Sequence, residues 1–242
     1  MPDLADRTIV VTGAAGAIGV VTCRQLAAEG AKLVLVDLRE EPLQALAAGL
    51  PGGPHRTLVS ALEDPAACAD VVGAVEGPIY GLVHLAGIFV AHDLTPAARA
   101  VYDRTMAANA TNAFDLVCAL TGRLVTDEPA RMVFASSLAY RRGSVGHVAY
   151  SMAKGAIAGL VRALSRNYGP DVLVNALAPG VIDSPMPQHI LAEQGDAIMQ
   201  RTPLRRLGTV EEVANVITFL MGPKASFITG QIINVDGGAA NN

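Results

Sequence analysis

Apolar residues fall into short continuous runs separated by longer stretches of helical periodicity. Seven runs, Thr8–Thr12, Lys32–Asp37, His55–Val59, Gly81–Leu85, Arg131–Ser136, Asp171–Ala178 and Gln231–Val235, are bounded by turn signals and predict β-strands. Between them, Ala17–Glu29, Pro42–Leu50, Pro65–Val75, Ala97–Val125, Val148–Tyr168 and Val210–Met221 predict helices. Leu33-Val34-Leu35-Val36 and Val172-Leu173-Val174 are apolar at consecutive positions, as strands covered on both faces must be. Strict alternation of strand and helix, with right-handed crossovers, then predicts an α/β, doubly wound Rossmann fold. Its seven-stranded parallel sheet carries helices on both faces and forms one domain over residues 1–242. The stretch 183–207, rich in Pro, Met and Gln, lacks a clear period and is expected to be a mobile substrate flap.

Composition narrows the function classes. With 17% charged residues, 51% apolar residues and a net charge of -4, the chain has no surface suited to a polyanion, and nucleic acid is not an expected partner. Mean hydropathy is positive, +0.38, yet no run approaches the roughly 20 residues a bilayer requires, so no membrane span is expected. Acidic residues stand where a secretory signal needs a basic region, which favours a cytoplasmic location. Cys23, Cys68 and Cys118 are too scattered for a disulfide framework or a metal clamp, and read as reduced, packed thiols. The histidines at 55, 84, 92, 147 and 189 have no ligand spacing, so no metal is expected.

Ligands in doubly wound sheets sit beyond the strand C-termini. After the first strand, Thr12-Gly13-Ala14-Ala15-Gly16-Ala17-Ile18-Gly19 offers a tight turn and free helix amides for a pyrophosphate; a plain strand-to-helix turn is the competing reading. Asp37 ends the second strand, where a carboxylate accepts hydrogen bonds from the adenosine ribose and repels a 2'-phosphate. It favours NAD over NADP, although Arg39 lies close by and Asp37 could instead cap the next helix. Tyr150 and Lys154 are four residues apart in a predicted helix and share one face. The ammonium is expected to make the phenol more acidic and usable for proton transfer near neutral pH, against the alternative of a solvated helix face.

In order and spacing these residues resemble the classical short-chain dehydrogenase/reductase family across essentially the whole chain. The turn at Gly13, Gly16 and Gly19 is similar to the family's Thr-Gly-x-x-x-Gly-x-Gly, and Asn109, Ser137, Tyr150 and Lys154 match its catalytic four. The segment from Asn175 through Pro179, Gly180, Ile182 and Ser184 resembles its nicotinamide segment, and Thr229-Gly230 to Gly238 its last strand. Three departures stand out: Ala17 replaces the second glycine, Ala61-Leu62 replaces Asp-Val beside adenine, and His84-Leu85-Ala86-Gly87 replaces Asn-Asn-Ala-Gly. His84 reads as a core histidine. The expected cofactor contacts are therefore Gly13, Gly16, Ile18, Gly19, Asp37, Leu38, Ala61, Leu62, Ala86, Gly87, Tyr150, Lys154, Pro179, Gly180, Ile182 and Ser184.

The resemblance implies reversible hydride transfer between a secondary alcohol and the B-face of nicotinamide, with Tyr150 exchanging the hydroxyl proton. Ser137 would donate to the developing oxyanion, Lys154 would hold the nicotinamide ribose and tune Tyr150, and Asn109 would hold a water. Phe89, Val90, Leu138, Val145, Met186, Ile190 and Leu191 fall on flanking loops and suggest a largely apolar alcohol or ketone of small to medium size; His147 and His189 are polar candidates there. Arg141 and Arg142 could read an acidic tail or simply be solvated. The resemblance also implies a homotetramer. A 3-oxoacyl-carrier-protein reductase of the same family is the nearest alternative, and a nucleotide sensor without turnover a remote one.

Overall fold

A strand that is apolar at every position needs cover on both faces, and the chain supplies it. The computed structural model describes residues 3–240, without the side chains of His189, Ile190 and Glu193. Among the described residues seven strands form one sheet: β1 (Thr8–Thr12), β2 (Lys32–Asp37), β3 (Arg56–Val59), β4 (Gly81–His84), β5 (Ala130–Ala135), β6 (Val172–Pro179) and β7 (Ile232–Val235). Their order is β3-β2-β1-β4-β5-β6-β7 and every pairing is parallel. Successive residues face opposite sides. Ile9, Val11, Leu33 and Leu35 pack with α1 (Ala17–Ala28), α2 (Glu40–Ala48) and α9 (Val210–Met221). Val10, Val34, Leu82 and Phe134 pack with α3 (Pro65–Gly73), α5 (Asn112–Leu120) and α7 (Val148–Tyr168) on the other face. The doubly wound fold is as the sequence predicts.

Chain direction across the sheet reverses between β1 and β4, which opens a crevice above their C-terminal ends. Two local features near this crevice differ from the sequence expectation. The single helix expected over Ala97–Val125 is a 3-10 turn (Pro96–Ala98), α4 (Arg99–Met106), a π turn (Ala107–Thr111) and α5. One extra residue is absorbed in the π turn, a distortion that hydrophobic periodicity does not register. The stretch 183–207 is not irregular throughout, because α8 (Gln188–Arg201) fills its middle. Its base is closed by a bridge pairing Ile182 with Gly208, and a short α6 (Ala139–Arg142) precedes α7.

Cys23 and Cys68 are buried thiols, whereas Cys118 is exposed rather than packed. Among the described residues no helix is long and apolar enough to cross a membrane, and no group of His, Cys, Asp and Glu could hold a metal ion.

Candidate active site

The turn after β1 is shaped by contacts that leave no room for side chains. Gly13 has a φ of 66°, and a Cβ there would lie 2.8 Å from the Ala86 nitrogen. A Cβ on Gly19 would lie 2.2 Å from the Gly13 carbonyl oxygen. Gly16 caps α1 without a side-chain hydrogen bond, and the first turn of α1 holds no acid. Those amides can receive an anionic ligand. Gly19→Ala is expected to lower the melting temperature by about 4–10 °C through overpacking, whereas Gly155→Ala, whose Cβ meets nothing within 4 Å, should stabilise α7. Thermal melts of the two variants check this pair.

Asp37 closes the same turn. Its Oδ2 accepts from the Ala15 amide at 3.0 Å, and its Oδ1 accepts from the Arg39 amide at 3.1 Å and from Arg39 Nε at 3.3 Å. Arg39, not Asp37, is the N-cap of α2, and its Nη2 donates to the Ala15 carbonyl at 2.7 Å. The carboxylate therefore ties β2 to the glycine turn, and Leu38 beside it is exposed. Leu62 turns its side chain inward. It adopts a φ of 51°, its side chain enters the core with Val10 and Val34, and its amide donates to Ser60 Oγ at 3.2 Å. Neighbouring Ala61 stays exposed.

Asn109, Ser137, Tyr150 and Lys154 come together at the ends of β4 and β5. Helix α7 buries Ala149, Tyr150, Ala153, Lys154, Ile157, Ala158 and Val161 along one stripe, which turns the phenol and the ammonium inward. The end of β5 grips the lysine twice: Ser136 Oγ donates to the Lys154 carbonyl at 2.8 Å, and Lys154 Nζ donates to the Ala135 carbonyl at 2.9 Å. Ser137 Oγ accepts from the Ala139 amide at 3.2 Å, and Ser137 acts on the Tyr150 phenol to lower its pKa against burial. Asn109 sits in the π turn, where Nδ2 donates to the carbonyls of Ile88 at 3.0 Å and Thr105 at 2.9 Å. Its Oδ1 is buried without a hydrogen-bond partner among the described residues. Gly87 makes the convergence possible, since a Cβ there would lie 2.4 Å from Asn109 Oδ1 and 3.4 Å from Lys154 Nζ.

The electrostatics correct one sequence expectation. The phenol is not more acidic than a free tyrosine in this structure: burial raises the Tyr150 pKa, and the opposing influence is the Ser137 hydrogen bond. Lys154 Nζ lies 5.6 Å from the tyrosine ring centroid. Burial also lowers the Lys154 pKa to about 8. Each group is held closer to its neutral form than in water. His84 is a core residue as expected: it is buried and bonded through Nδ1 to Thr12 Oγ1 at 2.8 Å, and burial, then the nearby Lys154 charge, pushes it well below the usual imidazole range.

Phe89 stacks on His147, ring centroids 3.9 Å apart, and meets Tyr150 edge-on at 4.7 Å. Phe89 therefore lies beside Tyr150, and His147 is the other ring contact of Phe89. Leu138 is half-buried, its amide donating to the Pro179 carbonyl at 2.9 Å, and Met186 is exposed. Val145 is 97% exposed. The side chains of His189 and Ile190 lie outside the described residues. Gly180 lets the β6 end approach Asp236, Ser184 Oγ donates to the Ile182 carbonyl at 3.3 Å, and Ile182 itself is buried. Arg142 reaches the Ala239 carbonyl at 2.9 Å and Arg141 stands over the Tyr140 ring, so both have local partners. Ser136 has no role in the sequence reading, although the Ser136-Ser137 doublet at a strand end is a usable signal; Thr12 is marked as the first residue of the glycine turn, but its bond to His84 is not.

Residues 13–240 match the family model described as enoyl-(acyl carrier protein) reductase. The 3-oxoacyl-(acyl-carrier-protein) reductase of Thermotoga maritima is 31% identical over 241 residues, covering 97% of this chain and 98% of that protein. A solved short-chain dehydrogenase/reductase described as a glucose/ribitol dehydrogenase from Brucella melitensis superposes with a TM-score of 0.94 at 37% identity, covering 99% of both chains. A solved structure from Agrobacterium tumefaciens with bound NADP has a TM-score of 0.88 at 30% identity, covering 98% of both chains. With its parallel sheet, glycine turn and Asn-Ser-Tyr-Lys cluster, the chain belongs to the classical short-chain dehydrogenase/reductase family.

Proposed function

We propose that the protein is an NAD-dependent oxidoreductase that interconverts a secondary alcohol and a ketone. The observation that carries this reading is the buried phenol of Tyr150, converging with Ser137, Lys154 and Asn109 beside the glycine turn. The donor set fits a dinucleotide: uncapped α1 amides for the pyrophosphate, Asp37 for the ribose, and Gly87 where a side chain would collide with Asn109 and Lys154. When bound, the nicotinamide supplies or takes up the hydride. Tyr150 Oη gives its proton to the carbonyl oxygen, or takes it from the alcohol. Ser137 donates to the same oxygen as charge develops. Lys154 orients the ribose and, as a cation close to the phenol, favours the phenolate; Asn109 Oδ1 holds a water that leads protons from Lys154 outward.

Phe89, His147, Leu138 and Met186 form the proposed substrate wall, and segment 183–207, pinned at its base by the Ile182–Gly208 bridge, closes over it. A largely apolar substrate suits these walls. The test is turnover of aliphatic, aryl, sugar, steroid and hydroxyacyl alcohols with NAD and NADP; failure to oxidise or reduce any of them would contradict the proposal.

Asp37 supports NAD over NADP, since a 2'-phosphate would approach a carboxylate already fixed on the turn. Asp37→Ala is expected to raise the ratio of NADP- to NAD-linked kcat/KM by about tenfold or more, and an unchanged ratio contradicts the assignment. A second reading, 3-oxoacyl-carrier-protein reduction, is favoured by the name of the Thermotoga relative. A preference for NADPH in the same titration would support it. We also propose a homotetramer, because Phe114, Val148 and Met152 leave apolar surface exposed on α5 and α7. Light scattering is expected to give four times the chain mass of 25.0 kDa, and a monomer would contradict it.

A further inference from the structure

Helix α7 carries both Tyr150 and Lys154, yet its own N-cap residue, His147, makes no side-chain capping bond. The amides of the first turn need acceptors from elsewhere. One comes from 57 positions upstream: the Ala149 N–H donates to His92 Nε2 at 3.1 Å. We propose that His92 is a positioning residue for Tyr150, acting as a long-range N-cap of α7; the proposal rests on the function assigned above.

The hydrogen-bond roles follow from the donor. A backbone N–H can only donate, so Nε2 presents its lone pair and the neutral ring carries its proton on Nδ1. The Asp93 carbonyl, 3.3 Å from Nδ1, is the acceptor for that proton. A second bond joins the same two segments, from the His92 amide to the Gly146 carbonyl at 2.8 Å. Three residues before His92, Phe89 packs face-on against His147 and edge-on against Tyr150. The loop from Phe89 to His92 thus holds the start of α7 through its backbone at Gly146 and Ala149 and through the rings of His147 and Tyr150. Loss of the imidazole bond frees the Ala149 amide, adjacent to Tyr150, and lets the phenol wander from its reacting geometry, where small misplacements cost rate.

The test compares His92→Phe, His92→Ala and His92→Gln in the full chain. Glutamine Oε1 falls close to the position of Nε2 and can accept the same bond; phenylalanine and alanine cannot. In His92→Phe and His92→Ala, amide hydrogen exchange at residues 148–151 should accelerate by about five- to tenfold. Alcohol kcat should fall by a similar factor of about five to ten with the NAD dissociation constant unchanged. His92→Gln should keep both within about twofold of the parent. Unchanged exchange at Ala149 in the truncated variants, or a glutamine variant as impaired as alanine, would overturn the proposal. If the truncated variants do not fold, the comparison of His92→Gln with His92→Asn decides it, because the shorter amide does not reach and should lose protection and kcat. Exchange is read without substrate, so a parent protein that oxidises no alcohol refutes the proposed function and leaves the His92 result interpretable.

Discussion

Tyr150→Phe should reduce turnover by about 10²–10⁴-fold, the range of a single proton-transfer group, while NAD binds as tightly as to the parent. The substitution removes one oxygen from a side chain that is 9% exposed and leaves the ring that Phe89 packs against. Burial holds the phenol protonated, with the Ser137 hydrogen bond pulling the other way. The protonated form serves ketone reduction and the phenolate serves alcohol oxidation, so the parent's oxidative kcat/KM should rise with pH while its reductive counterpart falls. In Tyr150→Phe both limbs should vanish from the residual rate. Steady-state pH profiles in both directions, with calorimetric NAD binding, check the set.

Lys154→Met is expected to lose activity and gain stability together. The amine is buried and its pKa falls from the ordinary 10.5 to about 8, which at about 1.4 kcal/mol per pKa unit places a cost of about 3 kcal/mol on keeping it charged near neutral pH. Methionine removes that cost but strands the Ala135 carbonyl that Lys154 bonds. The net gain is about 1–2 kcal/mol, or about 3–6 °C in melting temperature. Between about 8 and 10.5 the unfolded chain binds more protons at this lysine than the folded one, so parental stability rises with pH across that window. The advantage of the variant should shrink there and be largest below it. Turnover should drop by about 10²-fold or more, with alcohol oxidation partly restored at high pH because the phenol is still present. That recovery separates it from Tyr150→Phe.

Much of this was visible in residue order. Strands apolar at consecutive positions forced a sheet covered twice, and a glycine turn followed by Asp37 and by Tyr150/Lys154 at helical spacing located the crevice. What stayed hidden depends on contacts distant in the chain. The π turn under Asn109 changes hydrogen-bond register without changing the apolar pattern, so Ala97–Val125 read as one helix. Leu62 enters the core through a positive φ that no pattern predicts for leucine. Helix α8 hid within a Pro- and Met-rich stretch whose flanking turns masked its period. The direction of the Tyr150 pKa followed from burial, which a helical wheel does not contain, and spacing alone suggested the opposite. The role of His92 is silent in the sequence because its partner is the backbone amide of Ala149, which no residue type advertises.

The most direct measurement is a crystal structure with NAD and a slowly reacting secondary alcohol bound. Tyr150 Oη and Ser137 Oγ should both lie within about 2.6–3.2 Å of the carbinol oxygen, with Lys154 still anchored beneath them. An alcohol oxygen bound away from Tyr150, with the phenol bonded only to protein, would contradict the account.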